Sequence, residues 1–213
     1  MKPRIIAISG PSGSGKSLFS KTLCEEVRRE APDLDVVLIQ EDAYYRDQSH
    51  KAFSERELAN YDHPDAIEYE LLETQLRELC EGRAVSAPLY DYSQHTRSAE
   101  TRELRPAPVI ILEGILLLTQ RSIRDLCDMK FFLDTPLDIC LLRRIQRDLI
   151  ERGRSLESIV SQYESTVRPM YKRFIEPSAR HADMLIARGG KNRVALDLVR
   201  LTVLDIQRQL GRL

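Results

Sequence analysis

The chain has 213 residues, 42% of them hydrophobic, with 32 Lys and Arg against 33 Asp and Glu. This length suits one α/β domain with enough apolar side chains for a core, and a net charge of −1 excludes the broad basic field of a general nucleic-acid binder. No apolar run reaches membrane-span length, and the first strand begins within a few residues of Met1, so neither an anchor nor a signal peptide is expected and the reading is cytoplasmic. Cys24, Cys80, Cys127 and Cys140 are widely spaced, without C-x-x-C, and fall in predicted helices; they read as reduced thiols.

Arg4–Ser9 is a short apolar run that predicts a buried strand. Gly10–Ser17 then reads G-P-S-G-S-G-K-S, a full match to the phosphate-binding P-loop, and Leu18–Arg29 comes after it with helical spacing. Strand, glycine-rich turn and helix are the context the motif needs. Gly10, Pro11, Ser12, Gly13, Ser14, Gly15, Lys16 and Ser17 are therefore expected to cradle phosphate oxygens with inward-pointing N–H groups at a helix N-terminus. Lys16 would reach the β- and γ-phosphates, and the Ser17 hydroxyl would take Mg²⁺.

Val36–Gln40 predicts a second strand, 41–64 an irregular stretch, and 65–81 a helix with Ile67, Leu71, Leu72, Leu76 and Leu79 on one stripe and Gly82 ending it. Residues 85–106 read as an inserted β-hairpin. Val109–Leu112 and Lys130–Leu133 predict two more strands, 137–152 a helix interrupted at Gly153, and 156–174 a helix broken near Pro169 and Pro177. Met184–Ala187 is a fifth strand and 192–210 a closing helix. Five short apolar strands with helical crossovers imply a parallel sheet covered on both faces, in a single domain over 1–213.

In such sheets ligands sit outside the carboxyl ends of the strands. That rule nominates Gly10–Ser17, 41–45, Glu113–Gly114 and the loop 188–192. Asp42 could accept the proton of an attacking hydroxyl, although Glu41 and Asp47 are neighbouring carboxylates and Asp42 could equally cap a turn. Glu113 ends a core strand where a Mg²⁺-holding carboxylate is useful, or simply caps the next helix. Arg143, Arg144, Arg147, Arg152 and Arg154 crowd a helix and its Gly153 break; they suit a phosphate-binding lid over 144–160, or an ordinary solvated face. Tyr44, Tyr45, Tyr61, Tyr90 and Tyr92 fall in irregular or hairpin segments, where they could stack a flat ligand or merely pack the hairpin; Tyr90 and Tyr92 alternate and so share a side.

Together the P-loop, E-D-A-Y-Y, N-Y-D-H-P-D-A, P-L-Y-D-Y-S-Q-H-T-R, I-L-E-G-I-L, D-T-P-L-D-I-C-L-L-R-R-I-Q-R-D, E-R-G-R and A-R-G-G-K-N resemble the uridine kinase (uridine–cytidine kinase) family, particularly its bacterial form. The resemblance runs in order from the first strand to the last helix. It implies a P-loop NTPase fold of the nucleoside and nucleotide kinase type, transferring the γ-phosphate of ATP or GTP, with Mg²⁺, to the 5′-hydroxyl of uridine or cytidine. It implies that Asp42 is the general base, that Asp62 holds the ribose hydroxyls with Arg144, and that Tyr45, Tyr61, Tyr90 and Tyr92 line the nucleoside pocket. His95, Arg154 and Gln162 would address the pyrimidine edge, Arg147 and Arg152 the phosphates, and Ser17 and Glu113 the metal. The loop 188–192 would lie beside the donor's purine, and a homotetramer is implied. Ala43 stands where many relatives carry a small hydroxyl or Cys, and Tyr92 where some carry Phe. His50, His63 and His181 are read as surface or structural. Two other readings are a different small-molecule kinase on this scaffold, of the phosphoribulokinase or pantothenate kinase kind, and a nucleotide-dependent switch; the latter lacks a guanine-reading N-K-x-D.

Overall fold

The computed structural model describes residues 2–210. Strand β1 (Arg4–Ser9) leads through the P-loop into α1 (Lys16–Glu30) and then β2 (Val36–Gln40). The stretch expected to be irregular holds a 3-10 turn at Glu41–Tyr44 and a short helix, α2 (Phe53–Glu57). Next come α3 (Tyr69–Cys80), the hairpin β3 (Val85–Asp91) and β4 (Thr96–Leu104), and β5 (Val109–Glu113). The chain continues through α4 (Arg121–Arg124), β6 (Met129–Asp134), α5 (Leu137–Ile150) and α6 (Leu156–Gln162). After α7 (Arg168–Met170) and α8 (Glu176–Ser178) it closes with β7 (Met184–Ala187) and α9 (Arg193–Leu210).

The sheet order is β2-β5-β1-β6-β7, with every pairing parallel; β3 and β4 form a separate antiparallel pair. Strand alternation sorts the core into two layers. Ile5, Ala7, Ile110 and Leu112 face α3 and the hairpin, whereas Ile6, Ile8, Val109 and Ile111 face α1 and α9. Each fully buried aliphatic side chain, such as Leu72, Leu76 and Leu79 on α3, contributes about 1.5–3 kcal/mol of transfer free energy. Because all five strands are parallel, their carboxyl ends gather the nominated loops on one edge of the sheet.

The structure corrects four local readings. The helix expected from residue 65 starts at Tyr69, because Pro64–Ala66 forms its own 3-10 turn and Ile67 is drawn into an extended bridge with Tyr45. The helix over 156–181 is not broken at its prolines. It runs through π turns at Tyr163–Val167 and Tyr171–Ile175, each ending two residues before a proline. The wider turn accommodates a ring that lacks an N–H and would clash with the carbonyl four residues back. Cys127 lies in the turn before β6, not in a helix, and like the other cysteines it is free. Tyr44 belongs to the core, at 0% exposure with its hydroxyl donating to Gln75 Oε1 at 2.7 Å, so it is no candidate for stacking a ligand.

Candidate active site

The P-loop is pressed between α5 and the loop after β7. Gly13 has φ +84°, and a Cβ there would stand 2.4 Å from the Cys140 carbonyl oxygen, so neither the backbone conformation nor the space admits a side chain. Gly190 approaches from the other side: its N–H donates to the Ser14 carbonyl at 3.0 Å, and a Cβ would meet the Gly15 oxygen at 2.1 Å. Thr135 Oγ1 and Arg143 also donate to P-loop carbonyls, Thr135 to Ser14 at 3.2 Å and Arg143 to Gly13 and Ser14 at 3.4 and 3.3 Å. These bonds fix the outward-facing carbonyls, which leaves the N–H groups for a ligand. Arg143 thus braces the turn's carbonyls, whereas Arg144 reaches only the Ser12 side chain.

Lys16 is buried and donates from Nζ to the Pro11 carbonyl at 3.0 Å. Burial depresses its pKa, while the carboxylates of Glu113, Asp42 and Glu41 oppose that shift and favour the charged amine. Ser17 Oγ donates to Glu113 Oε1 at 3.1 Å, and Gln40 Nε2 donates weakly to Glu113 Oε2 at 3.4 Å. Burial raises the Glu113 pKa, against the pull of Lys16. No group of three or more His, Cys, Asp or Glu among the described residues could hold a metal by itself. One hydroxyl beside one carboxylate is nevertheless the donor set that suits Mg²⁺, which keeps several waters and shares substrate phosphates.

Beyond Ser12 a cleft of about 480 Å³ opens between the 3-10 turn after β2, the hairpin, and the α5–α6 segment. It is lined by Asp42, Tyr45, Tyr61, Asp62, Tyr90, Tyr92, His95, Arg144, Arg147, Arg152, Arg154 and Gln162. Phe53 of α2, Ile115 and Ser158 line it as well; sequence reading missed them because single apolar or hydroxyl residues carry no motif. A second cavity, of about 500 Å³, lies at the amino ends of the strands between Pro3, Leu79, Cys80, Pro108 and Ile206. Its charged lining is limited to Lys2, Arg4 and Asp128, so the smaller cleft, with its carboxylates and four arginines, is the candidate site.

Of the three neighbouring carboxylates Glu41, Asp42 and Asp47, only Asp42 enters the cleft. Asp42 accepts a hydrogen bond from the Tyr92 hydroxyl at 3.0 Å and faces the cavity. Glu41 points the opposite way into the core, accepting from the Leu116 N–H at 2.8 Å and from the Tyr69 hydroxyl at 3.1 Å; burial pushes its pKa up to about 8. Asp47 accepts from the Ser49 N–H and the Thr96 hydroxyl, holding a turn to the hairpin. Asp62 is 5% exposed, and its carboxylate has no hydrogen-bond partner among the described residues. Burial raises its pKa, with Arg144 opposing.

In the aromatic wall Tyr45 packs edge to face on Tyr61 and tilted on Tyr90, 5.1 Å from each, and Tyr90 lies edge to face 5.2 Å from Tyr92. His95 stacks on Tyr61 with centroids 5.9 Å apart, in the left-handed conformation at φ +52°. Burial lowers the His95 pKa, and Arg154, Arg152 and Arg56 add to the effect against Glu57. A neutral ring presents one donor and one acceptor nitrogen. Gln162 Oε1 accepts from Arg144 at 2.8 Å and from Arg154 at 2.6 Å, and Arg144 also reaches Ser12 Oγ at 3.1 Å. Arg152 lies 4.8 Å over the Tyr92 ring. Arg188, Lys191 and Asn192 line a separate recess of about 360 Å³ behind the P-loop.

The phosphoribulokinase / uridine kinase family model matches residues 5–195. The chain belongs to that family. It is 55% identical over 199 residues to the uridine kinases of Shewanella sp. strain ANA-3 and Shewanella oneidensis, covering 93% of this chain and 94% of each relative. Among solved structures, D-glycerate 3-kinase from Cryptococcus neoformans superposes with a TM-score of 0.64 at 17% identity, over 84% of this chain and 80% of that one. A possible uridine kinase from Bacillus stearothermophilus gives 0.55 at 21% identity, over 87% and 89%. At those identities the structural likeness establishes the fold, a P-loop kinase, and nothing finer.

Proposed function

We propose that the chain transfers the γ-phosphate of ATP or GTP to the 5′-hydroxyl of uridine or cytidine, giving UMP or CMP, with Mg²⁺ beside Ser17 and Glu113. Uridine kinase activity, a phosphotransfer, accords with 55% identity to curated uridine kinases over nearly the whole chain. The observation that carries the finer reading is the cleft beside Ser12, where Asp42 and Asp62, an aromatic wall and four arginines converge.

Phosphoryl transfer asks for positioning and charge neutralisation. Asp42 takes the proton from the 5′-hydroxyl while the Tyr92 hydroxyl, donating to Oδ2, orients the carboxylate. Lys16, Arg147 and Arg152 offset charge on the transferring group, and the bound cation would supply further charge neutralisation at the phosphates. The free acceptors of Asp62 suit a cis-diol, steadied by Arg144. Tyr45, Tyr61, Tyr90 and Tyr92 sandwich the pyrimidine, and neutral His95 can meet either O4 of uridine or the amino group of cytidine. Arg154 and Gln162 hold that edge of the cleft. The recess at Arg188–Asn192 would take the donor's purine. The lid over 144–160, the single domain over 1–213, the homotetramer and the cytoplasmic setting belong to the same reading; no helix among the described residues is long and apolar enough to cross a membrane.

A panel of uridine, cytidine, deoxyuridine, adenosine, ribulose 5-phosphate and pantothenate with ATP–Mg²⁺ tests this. UMP and CMP formation with weak turnover of deoxyuridine is expected, since a buried carboxylate would lose a partner at C2′. Equal turnover of uridine and deoxyuridine would remove Asp62 from ribose recognition, and activity on ribulose 5-phosphate alone would overturn the nucleoside pocket.

A further inference from the structure

Asp148, near the end of α5, has no role in the chemistry above, yet it is fully buried, at 0% exposure. Four guanidinium groups surround its carboxylate. Arg147 lies at 2.8 Å and Arg152 at 3.4 Å from Oδ1; Arg144 and Arg154 each lie 3.6 Å from Oδ2. All four arginines also line the acceptor cleft. The Asp148 carbonyl accepts the Arg154 N–H at 3.0 Å, so side chain and main chain together tie α5 to the segment beyond the Gly153 break.

The arrangement has a physical consequence. Four cations gathered on one cleft wall repel one another and would swing into solvent, where their forks point in no fixed direction. A single buried anion at their centre offsets that repulsion and sets each fork. Both Arg147 donors engaged, Nε and Nη2, point at Oδ1, which leaves its remaining N–H groups directed elsewhere. Asp148 Oδ2 and Arg144 Nε are both buried without a hydrogen-bond partner among the described residues. Their separation is too long for a bond, so the second oxygen is held against Arg144 and Arg154 by charge alone and leaves those forks free to bond Ser12, Gln162 and ligand.

We propose that Asp148 is a positioning residue for phosphoryl transfer: it holds Arg144, Arg147, Arg152 and Arg154 as one preformed cationic wall, acting through them and never touching substrate. The inference rests on the reading of those arginines as ligands of phosphate and nucleoside. Loss of the anion misplaces several of them together, and misplacement of about 1 Å costs on the order of a hundredfold in rate.

The test is a double-mutant cycle on the full-length protein. Asp148→Asn is expected to lower kcat about a hundredfold, with a smaller rise in KM for uridine. In an Arg147→Ala background the same substitution should cost less than it does in the wild type, because one of the four groups it acts through has gone. Asp148→Glu keeps the buried charge but must fit one more methylene into a fully buried site; it should melt above Asp148→Asn and below the wild type, with a kcat loss smaller than that of Asp148→Asn. Additive losses in the cycle, or wild-type kcat in Asp148→Glu and Asp148→Asn, would overturn the inference. A tighter KM for ATP with undiminished kcat in Asp148→Asn would overturn it too, marking Asp148 as a competitor of phosphate. If Arg147→Ala alone leaves transfer unchanged, the assignment of the arginines fails first, and that outcome is read separately.

Discussion

The phosphate cradle and the acceptor cleft meet at Ser12 but are built by opposite means. The cradle is eight consecutive residues whose backbone N–H groups would carry the proposed phosphate contacts, and its rigidity comes from close approaches by Cys140, Thr135 and Gly190. The cleft is made of side chains from the 3-10 turn after β2, the 53–62 segment, the hairpin and the α5–α6 region, none adjacent in sequence. Apart from Lys16 and Ser17, the cradle depends on backbone conformation more than on side-chain identity, whereas the cleft depends on each side chain being present.

That contrast can be broken or sharpened by substitution. The largest effect should come from Asp42→Asn, which is expected to lower kcat by about 10²–10⁴ while uridine binding by calorimetry survives, as removal of a general base does. Near-normal turnover would mean that the cleft does its chemistry through another group. Gly13→Ala should rank second. The new Cβ would clash with the Cys140 carbonyl at φ +84°, and backbone strain of this kind costs about 1–3 kcal/mol before the clash is counted. A lower melting temperature and a raised KM for ATP, with uridine binding little changed, are expected. Unchanged melting would show that the cradle is softer than its contacts suggest.

Tyr92→Phe asks a smaller question, since the ring beneath Arg152 remains and only the donor to Asp42 goes. Hydrogen bonds to charged groups are worth about 1.5–3 kcal/mol when buried, and on this half-exposed residue a kcat loss of about three- to tenfold is expected. Unaltered kcat would leave Tyr92 a stacking role alone. The smallest effect is Glu41→Gln, read through pH. The folded protein keeps the Glu41 proton up to about pH 8, whereas the unfolded chain releases it in the ordinary carboxylate range. This group therefore stabilises the fold at low pH, and its contribution is lost as pH climbs from that range through about 8. The Gln variant should show a flatter dependence of melting temperature on pH over that window; a profile parallel to the wild type would mean that Glu41 is charged in the native state.

The local pattern of the chain by itself determined the five sheet strands, the P-loop with its flanking strand and helix, the hairpin and the family. Each of these rests on short-range backbone geometry or on residues whose order is contiguous. Pro169 and Pro177 mislead a local reading because each is preceded by a π turn whose wider winding accommodates the ring, so the helix continues where an α-helical ladder would break. Between near-identical neighbours residue type and spacing left the choice open; the resemblance pointed to one of each pair, and the tertiary structure supplies the physical reason. Glu41 and Asp42, Tyr44 and Tyr45, and Arg143 and Arg144 are chemically interchangeable pairs in sequence. One residue of rotation on a 3-10 turn or helix sends the first of each pair to the core or the P-loop carbonyls and the second to the cleft. The same holds for Asp148, an ordinary helical carboxylate in sequence, which becomes the centre of four arginines because the chain turns back at Gly153. Direction in space, which sets burial and charge environment, is a property of the packed elements and not of any residue's neighbours in the chain.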